Sequence, residues 1–592
     1  MIYFLKKSTP SKKGLYLQIY TNFYDPITKK KVTKSYKSLG YVSDLISSEI
    51  SDPVAYYTEE VKKMNRELNK SKDIQIADSS SSKFAGHFLI KALFDLLDMD
   101  KTLNLIASSF KCKYKFSNMF RDLCYSQILS PGSKLKAFER IIPNLFNANN
   151  YSYDQILDAV NFIGRDYHKY IEMLNHHILS VWKVRPMDKV YFDCTNYYFE
   201  IDLENDFFKK GPSKENRKLP LMGQALLLDA EQIPLDTKFY SGNESEKPYL
   251  RKRIEDMKSR NNVNGRIIQV ADKGLNCARN IYSAVIEAND GYIFSKSIRG
   301  KSLSIQEKNW VLLSDNDINK WVEVRNSTGE LIYKYKTAKE ADENGKINEY
   351  GIFTYKCRIN PDDEDDTIFK VKEKRIVTYN PSLARKQKSE ILREVEKLKN
   401  IISYKSVAKE EIGDVAKYLN FEARDKDGKK IKIATSINED KIKEDLNYCG
   451  YNMVITSEIN ASPEDIYKTY HNLWRIEESF RIMKTYLEAR PVFLSKEDTI
   501  KGHFLICYFS LTLLRLLEFK IFKDEIPTGQ IIEFIRQYKI TKNFDESYIN
   551  NSTYSKTFDQ IKEKLGLSKL GNLYLSKKDV ELLFETDLTC ED

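Results

Sequence analysis

The segment from residue 188 to residue 300 constrains the fold of this chain more than any other part. It begins with three stretches rich in β-forming residues and separated by turn residues, DKVYFDCTNYYFEI, LPLMGQALLLD and IPLDTKFYSG. It continues with the charged helical stretch EKPYLRKRIEDMKSR, the short buried strand GRIIQVADKG, a second helix and the strand GYIFSKSI. Three strands in a meander followed by helix, strand, helix and strand predict a mixed sheet flanked by helices.

The regions on either side of this segment have different patterns. Before it, the chain first alternates apolar and polar side chains, as in KGLYLQIYTNFYDP, and then becomes helical, as in FLIKALFDLLDM. The predicted regions are 1–55 (a small basic β module), 56–185 (all-α), 186–304 (the first part of an α/β core), 305–457 (a β-rich insertion), 458–525 (the C-terminal helices of the core) and 526–592 (a helical tail). A DSSSS stretch at 78–82 predicts a linker, and Asp427 with Gly428 predicts a hairpin turn.

Charge and composition limit the partners that the chain can have. The net charge is +10, and residues 1–40 carry nine Lys against a single acid, Asp25. This excess permits binding to a polyanion such as DNA, and it is equally typical of a solvated Lys-rich surface. The eight Cys include no C-x-x-C pair, and the longest apolar stretch, 504–514, is shorter than the roughly 20 residues of a membrane span. We therefore expect a soluble, cytoplasmic protein with no membrane partner.

Two aspartates follow apolar strands and are candidates for a metal site. Asp193 comes after three large β-formers in VYFDCT, where we expect it to close the strand, and Asp272 ends the strand in IIQVAD. An unpaired acid is costly in a core, and it is tolerated at a strand end or where a cation compensates its charge. Carboxylates at the ends of neighbouring strands could share Mg²⁺, which prefers oxygen ligands. Taken singly, each is also an ordinary strand-end or turn residue.

A third acid lies on a helix predicted over 462–487, SPEDIYKTYHNLWRIEESFRIMKTYL. The Ser-Pro-Glu-Asp start supplies an N-cap, a proline in the first turn and early acids. Tyr470, Glu477 and Lys484 are seven residues apart in succession, close to two turns each, so they share one stripe. Arg481 lies one turn beyond Glu477. Such a stripe suits a face that meets both metal and phosphate, and it also suits a surface with intrahelical ion pairs.

Taken together, these motifs resemble those of bacterial insertion-sequence transposases of the IS4 type, especially the IS1634 branch. VYFDCTNYYFE and VADKGL resemble the segments that carry the family's two catalytic Asp residues, and YHNLWRIEESFRIMK resembles its Tyr–Arg–Glu–Lys signature. GQALLLDAEQIPLDTKFYSGNESE, RPVFLSKEDTIKGHFLICY and LSPGSKLKAFER also resemble stretches of this family. The resemblance implies an α/β catalytic core of RNase H-like fold, interrupted by a β-rich insertion.

The resemblance also implies an activity, that of a DDE transposase. Asp193, Asp272 and Glu477 would be the catalytic residues and would hold two Mg²⁺ ions, with Mn²⁺ as a substitute. Asp193 would bridge both ions, and the other two acids would each complete one site. The enzyme would cleave DNA at the terminal inverted repeats of its element and transfer the freed 3′-hydroxyl into target DNA. The implied partners are double-stranded DNA and a second copy of the chain, as a homodimer in the synaptic complex in the bacterial nucleoid.

The resemblance assigns DNA contacts to Tyr470, Arg475, Arg481 and Lys484. The family signature places Arg three residues after the Tyr, where this chain has Leu473, and Arg475 follows two residues later. Base reading would fall to the N-terminal β module and to the helical region, which we expect to bind the DNA end.

Two other functions remain open from the sequence. One is a purely hydrolytic endonuclease of RNase H-like fold that never joins strands. The other is a catalytically silent, transposase-derived DNA-binding protein. The presence of all three acids argues against the second.

Overall fold

The computed structural model describes residues 2–9, 13–25, 30–47, 50–70, 81–112, 114–200, 204–205, 207–211, 219–261, 263–299, 303–312, 320–341, 347–360, 362–404, 413–421, 434–543 and 547–588. The chain divides into two compact units, Met1–Ser81 and Ser82–Asp592. The hairpin predicted at Asp427 and Gly428 lies outside the described residues, as do residues 78–80 of the predicted linker.

The first unit is a three-stranded antiparallel sheet packed against a helix. Its elements are β1 (Ile2–Lys7), β2 (Tyr16–Asp25), β3 (Lys30–Tyr41), α1 (Val42–Ser47) and α2 (Pro53–Lys70). Leu17 and Ile19 alternate along β2 and are buried, together with Val61 of α2. The side chain of Asn65 in α2 accepts a hydrogen bond from the Tyr3 amide (2.9 Å) and donates one to the Tyr3 carbonyl (2.7 Å), which closes the outer edge of β1.

The second unit begins with helices, as the periodicity of this stretch predicts. They are, with one short strand, β4 (Lys83–Phe84), α3 (Phe88–Leu97), α4 (Asp100–Ile106), α5 (Phe116–Leu129), α6 (Lys134–Lys136, continued as a π-helical turn over Ala137–Ile141), α7 (Tyr153–Arg165) and α8 (Tyr167–Trp182). The start of α7 is set by a capping box: Ser152 accepts a bond from the Gln155 amide (3.2 Å), and the Gln155 side chain accepts one from the Ser152 amide (2.9 Å).

A mixed sheet flanked by helices follows, which confirms the fold class predicted for this segment. Its elements are β5 (Lys189–Tyr198), β6 (Leu221–Leu228), β7 (Pro234–Ser241), α9 (Lys247–Arg260), β8 (Ile268–Ala271), α10 (Ala278–Tyr282) and β9 (Gly291–Lys296). β5, β6 and β7 form an antiparallel meander. β8 runs parallel to β5 on its other side, and β9 runs parallel to β8.

Strands of the next region extend this sheet. The elements are α11 (Ile305–Leu312), β10 (Val322–Arg325), β11 (Leu331–Thr337), β12 (Glu340–Ala341), β13 (Ile347–Asn348), β14 (Gly351–Cys357), β15 (Thr367–Tyr379), α12 (Pro381–Tyr404), β16 (Leu419–Phe421), β17 (Ala434–Ile437), α13 (Glu439–Asn447) and β18 (Tyr451–Thr456). β18 pairs with β9, so the described part of the sheet has ten strands in the order β10-β11-β15-β18-β9-β8-β5-β6-β7, with β14 paired to β15.

The last elements are again mostly helical. They are α14 (Pro463–His471), α15 (Trp474–Arg481, continued as a π-helical turn over Ile482–Tyr486), α16 (Glu497–Leu516), α17 (Thr528–Gln537), β19 (Lys539–Lys542), β20 (Tyr548–Asn550), α18 (Lys556–Lys564), β21 (Tyr574–Leu575) and α19 (Lys577–Phe584). The single helix predicted over 462–487 is interrupted, because Asn472 and Leu473 separate α14 from α15. Among the described residues, no helix has the length and apolar character to cross a membrane.

Two glycines let α7 and α16 cross at close range. A Cβ atom on Gly502 of α16 would fall on the carbonyl oxygen of Val160, and one on Gly164 of α7 would fall on the carbonyl oxygen of Asp498. Only hydrogen side chains allow the two backbones to approach this closely. α16 is buried over most of its length, so this crossing lies in the main core of the unit.

We predict that Gly502→Ala destabilises the protein. Alanine is favoured over glycine in an unobstructed helix by up to about 1 kcal/mol, but here the added methyl forces α7 and α16 apart, and overpacking of this kind costs about 1–3 kcal/mol. The melting temperature of the full chain should fall by several degrees. Gly265→Ala is the control, because no atom lies within 4 Å of its added Cβ. An unchanged melting temperature for Gly502→Ala would contradict the prediction.

Candidate functional site

Asp193 and Asp272 lie at the same level on adjacent parallel strands. The last register pair between β5 and β8 joins Phe192 to Ala271, and the two aspartates are the next residues of each chain segment. Neighbouring strands are about 4.8 Å apart, so the two acids start side by side. The sequence led us to expect Asp193 at the end of its strand, and this expectation was wrong. Asp193 lies in the middle of β5, because pairing with β6 continues as far as Tyr198.

Both aspartates project toward the side of the sheet that α15 covers. Tyr191 and Val270, two residues before each acid, belong to the same hydrophobic core as Ile476 of α15. Side chains two apart on a strand share a face. The alternation of side chains therefore directs Asp193 and Asp272 toward the helix that carries the third predicted acid.

Tyr470 connects α14 to this pair of strands. Its hydroxyl donates a hydrogen bond to Oδ1 of Asp272 over 3.3 Å. Burial raises the pKa of Tyr470, and the neighbouring charge of Asp272 raises it further, so the phenol stays protonated and remains a donor. Asp272, Tyr470 and Glu477 line one cavity of about 410 Å³. The structure thus brings together two of the three predicted acids and the tyrosine.

The positions of Asp193, Asp272 and Glu477 bear on whether the three carboxylates could bind a metal ion together. Oδ1 of Asp193 accepts a hydrogen bond from the Cys194 amide (2.7 Å), so Asp193 is oriented by its own strand. Within the described ranges, no group of three or more His, Cys, Asp or Glu side chains is placed to hold a metal ion. Asp193, Asp272 and Glu477 offer the oxygen ligands that Mg²⁺ takes, but they are not gathered into one cluster.

Cationic side chains that sequence reasoning missed line the same cavity. They are Lys273, Lys296 and Arg299. Burial lowers the pKa of Lys296, and the charge of Arg375 lowers it further. The available sequence signal was position: Lys273 directly follows Asp272, and Lys296 ends the neighbouring strand β9. Cations that face a cavity can bind a phosphate group through charge-assisted hydrogen bonds.

Lys484 lies against the strand that carries Asp193. Its Nζ is 5.3 Å from the centre of the Tyr197 ring on β5, a cation–π contact. Tyr197 is itself fixed, because its hydroxyl donates a hydrogen bond to Oε1 of Gln224 (2.8 Å). Lys484 therefore reaches the sheet from the helical segment that follows Glu477.

Arg475 and Arg481, the other two predicted DNA contacts, lie elsewhere. Nη2 of Arg475 bonds to Asp524 (2.6 Å), and its Nη1 is 3.4 Å from Glu478. Arg481 is 65% exposed in its side chain and pairs with Glu478 at 3.1 Å. It lines a different cavity, of about 530 Å³, with Glu478 and Arg536. Glu477 and Arg481 belong to the same helix α15, but the Arg481 side chain pairs with Glu478 and does not line the cavity of Glu477.

A buried ion network holds α15 against α16. The Arg515 side chain is fully buried, with Nη1 2.5 Å from Glu518 and Nη2 3.0 Å from Glu478. Its Nη2 also donates hydrogen bonds to the Arg475 carbonyl (3.2 Å) and to Oγ of Ser479 (3.2 Å). Three of these partners belong to α15, so Arg515 fixes the helix that presents Glu477.

We predict that Arg515→Met lowers the melting temperature strongly. The substitution removes the nearer of the two cations of the buried Glu518 carboxylate and leaves only Arg475, at 3.9 Å. Breaking a buried pair in this way costs up to about 3–5 kcal/mol. Arg481→Met removes the same charge from an exposed position of α15 and should change the melting temperature little. Similar melting temperatures for the two variants would show that the buried network does not hold α15.

No protein-family model matches the chain, and no curated protein matches it.

Proposed function

We propose that this chain is a DDE transposase of the IS4 type, in the IS1634 branch. It would cleave DNA at the ends of an insertion sequence and join the freed 3′-hydroxyl to target DNA. One observation carries the proposal: Asp193 and Asp272 occupy equal positions on adjacent parallel strands, and the helix with Glu477 packs on the side that both acids face. The sequence motifs require the three acids to converge, and this placement supports the proposal.

The strand order supports an RNase H-like core within the larger sheet. β5, β6 and β7 form a meander, and α9, β8, α10 and β9 follow it in the chain. This succession of meander, helix, strand, helix and strand is the order of the RNase H-like nuclease fold. In the proposal, the region between β9 and α14 is an insertion whose strands continue the core sheet.

Asp193, Asp272 and Glu477 would hold two Mg²⁺ ions, with Mn²⁺ as a substitute. When bound, the ions would lower the pKa of the attacking water or 3′-hydroxyl and stabilise the leaving oxygen. Three carboxylates close to one another repel, so they would approach fully only with cations between them. Tyr470 would hold the Asp272 carboxylate in place through its hydrogen bond.

The cationic residues around the acids would position the DNA backbone. Lys273, Lys296 and Arg299 line the cavity with Asp272, and Lys484 contacts Tyr197 on the strand that carries Asp193. Phosphate contacts fix the register of the duplex and carry little sequence information. In-line displacement at a phosphodiester depends on such positioning and on charge stabilisation.

The substrate would be double-stranded DNA, both the terminal inverted repeats and the target. Joining two ends requires that both be held at once, so a homodimer would form in the synaptic complex. Such an enzyme would work in the bacterial cytoplasm, on the nucleoid.

We predict that Asp193→Asn, Asp272→Asn and Glu477→Gln each abolish Mg²⁺-dependent cleavage. Each removes one ligand charge and keeps the side-chain shape, and even outer-shell changes cost about 10–100-fold, so the loss should exceed about 100-fold. The assay is nicking of a plasmid that carries the DNA flanking the coding region, with EDTA as the metal-free reference. DNA binding should be nearly unchanged.

Glu255→Gln, at an exposed position of α9, is the matched control for loss of one acid. Retained cleavage in any one of the three variants would remove that residue from the site. Strand transfer with a pre-cut end separates a transposase from a hydrolytic endonuclease. Absence of Mg²⁺-dependent nicking by the unsubstituted chain would favour the catalytically silent DNA-binding protein.

We predict that Lys484→Ala weakens cleavage more than it weakens folding. Loss of one charged hydrogen bond to phosphate is equivalent to about 1.5–3 kcal/mol, or roughly 10- to 100-fold in rate. The readouts are the cleavage rate and the melting temperature of the same preparation. Normal cleavage together with a large fall in melting temperature would assign Lys484 a structural role against Tyr197.

A further inference from the structure

The sheet of the first unit has one face that is covered and one that is not. Leu17 and Ile19 project from β2 into the core beneath α2. Gln18, Tyr20 and Asn22 project from the opposite side of β2, because side chains alternate along a strand. We call this second side the open face; it carries the polar residues Lys6, Gln18, Asn22, Lys31, Thr33 and Ser38, together with the apolar Ile2 and Phe4 of β1.

Side-chain contacts place these residues together. Oγ1 of Thr33 donates a hydrogen bond to Oδ1 of Asn22 (2.6 Å), and Nε2 of Gln18 donates one to Oγ of Ser38 (3.2 Å). Both pairs are exposed. At these positions the open face therefore presents amides and hydroxyls to solvent.

An aromatic ring and a lysine lie among these polar groups. Tyr20 is half-buried in the middle of the open face, and Nζ of Lys6 lies 4.5 Å from its ring centre. Lys31 is exposed at the opposite strand, across from Tyr24 in the register. No acidic residue belongs to the open face among the side chains that the structure describes. The open face thus combines polar groups and two lysines with the apolar side chains of Ile2 and Phe4.

The positive charge of the first unit is concentrated in its sheet. Residues 1–40 contain nine Lys and one acid, whereas α2 mixes Glu59, Glu60 and Glu67 with its basic residues. Lysines on an edge strand such as β3 also prevent edge-to-edge pairing. That role does not account for Lys6, because its Nζ lies near the Tyr20 ring on the open face and not beyond the outer edge of β1.

We propose that the open face binds in the major groove of duplex DNA. The proposal rests on the proposed function and names the surface that holds the DNA. Three strands span about 10 Å between the outer two, and the major groove is about 12 Å wide. Asn22 and Gln18 have the amides that pair with purine edges, and Lys6 and Lys31 have the charges that meet the flanking phosphates.

The first test measures charge. The full chain carrying Lys6→Gln and Lys31→Gln is compared with a chain carrying Lys62→Gln and Lys63→Gln, two exposed lysines of α2. Binding to a short fluorescent DNA duplex of mixed sequence is followed in EDTA between about 50 and about 200 mM salt. The slope of log affinity against log salt should fall by about 1.8 in the open-face variant, at about 0.9 per phosphate contact, and much less in the control. Equal changes in the two variants would overturn the proposal.

The second test measures contact with the groove. Replacing purines by 7-deazapurines removes the N7 acceptors of the major groove and should weaken binding of the unsubstituted chain by about fivefold or more. A chain with Gln18→Ala and Asn22→Ala should show no further loss on the 7-deaza duplex. The proposal would be overturned if the variant lost as much affinity on the 7-deaza duplex as the unsubstituted chain does. Tighter binding of the unsubstituted chain to an RNA duplex of the same sequence would also overturn it.

Failure of this proposal is distinguishable from failure of the proposed function, because binding in EDTA does not depend on cleavage. A chain that cleaves but keeps its salt slope in the open-face variant has another DNA-binding surface. A chain that loses the slope but never cleaves uses the open face for DNA without being a transposase.

Discussion

The parallel pairing of β5 with β8 is the interaction on which the candidate site depends. It sets Asp193 beside Asp272, and alternate burial fixes its register. Tyr191 and Val270 pack on one side of the sheet, while Phe192 and Ala271 pack on the other. A slip of one residue in either strand would turn its whole apolar set to the wrong side, so the core that stabilises the sheet also keeps the two carboxylates on one face.

The third acid depends on contacts that α15 makes with distant segments. Arg515 of α16 bonds to Glu478 and to the Arg475 carbonyl. The end of the following turn is held as well, because Gln127 of α5 donates a hydrogen bond to the Leu487 carbonyl (2.6 Å). Arg536 of α17 likewise donates one to the Tyr486 carbonyl (2.5 Å). Helices from both ends of the second unit thus fix the segment that carries Glu477. The position of Glu477 therefore depends on the packing of these helices.

Opposite charges are distributed in a way that suits a polyanionic substrate. The acids of the cavity lie among lysines and an arginine, so a phosphate approaching Asp272 and Glu477 would meet compensating positive charge. The sheet of the first unit carries Lys6 and Lys31 among amides and hydroxyls on its open face. In the proposed enzyme, one surface would hold the duplex and the cavity would act on its backbone. Binding the duplex would depend on amides and lysines, whereas cleaving its backbone would depend on carboxylates with metal ions.

The sequence by itself determined the local elements and the candidates for the site. The β-formers of VYFDCT, the turn after IIQVAD and the Ser462 cap are short-range signals, and each lies where its pattern predicts. Tertiary structure decided which segments meet. β18 is far from β9 in the chain, since Thr456 pairs with Ile293, 163 residues before it. It joins the central sheet because both strands bury side chains in the same cores. Likewise, Arg481 pairs with Glu478 and lines a different cavity from Glu477, which its position one turn beyond Glu477 did not predict. The periodicity of a segment indicates which of its side chains share a face. Which of these faces meet is decided by the burial of apolar surface between segments that are far apart in the chain.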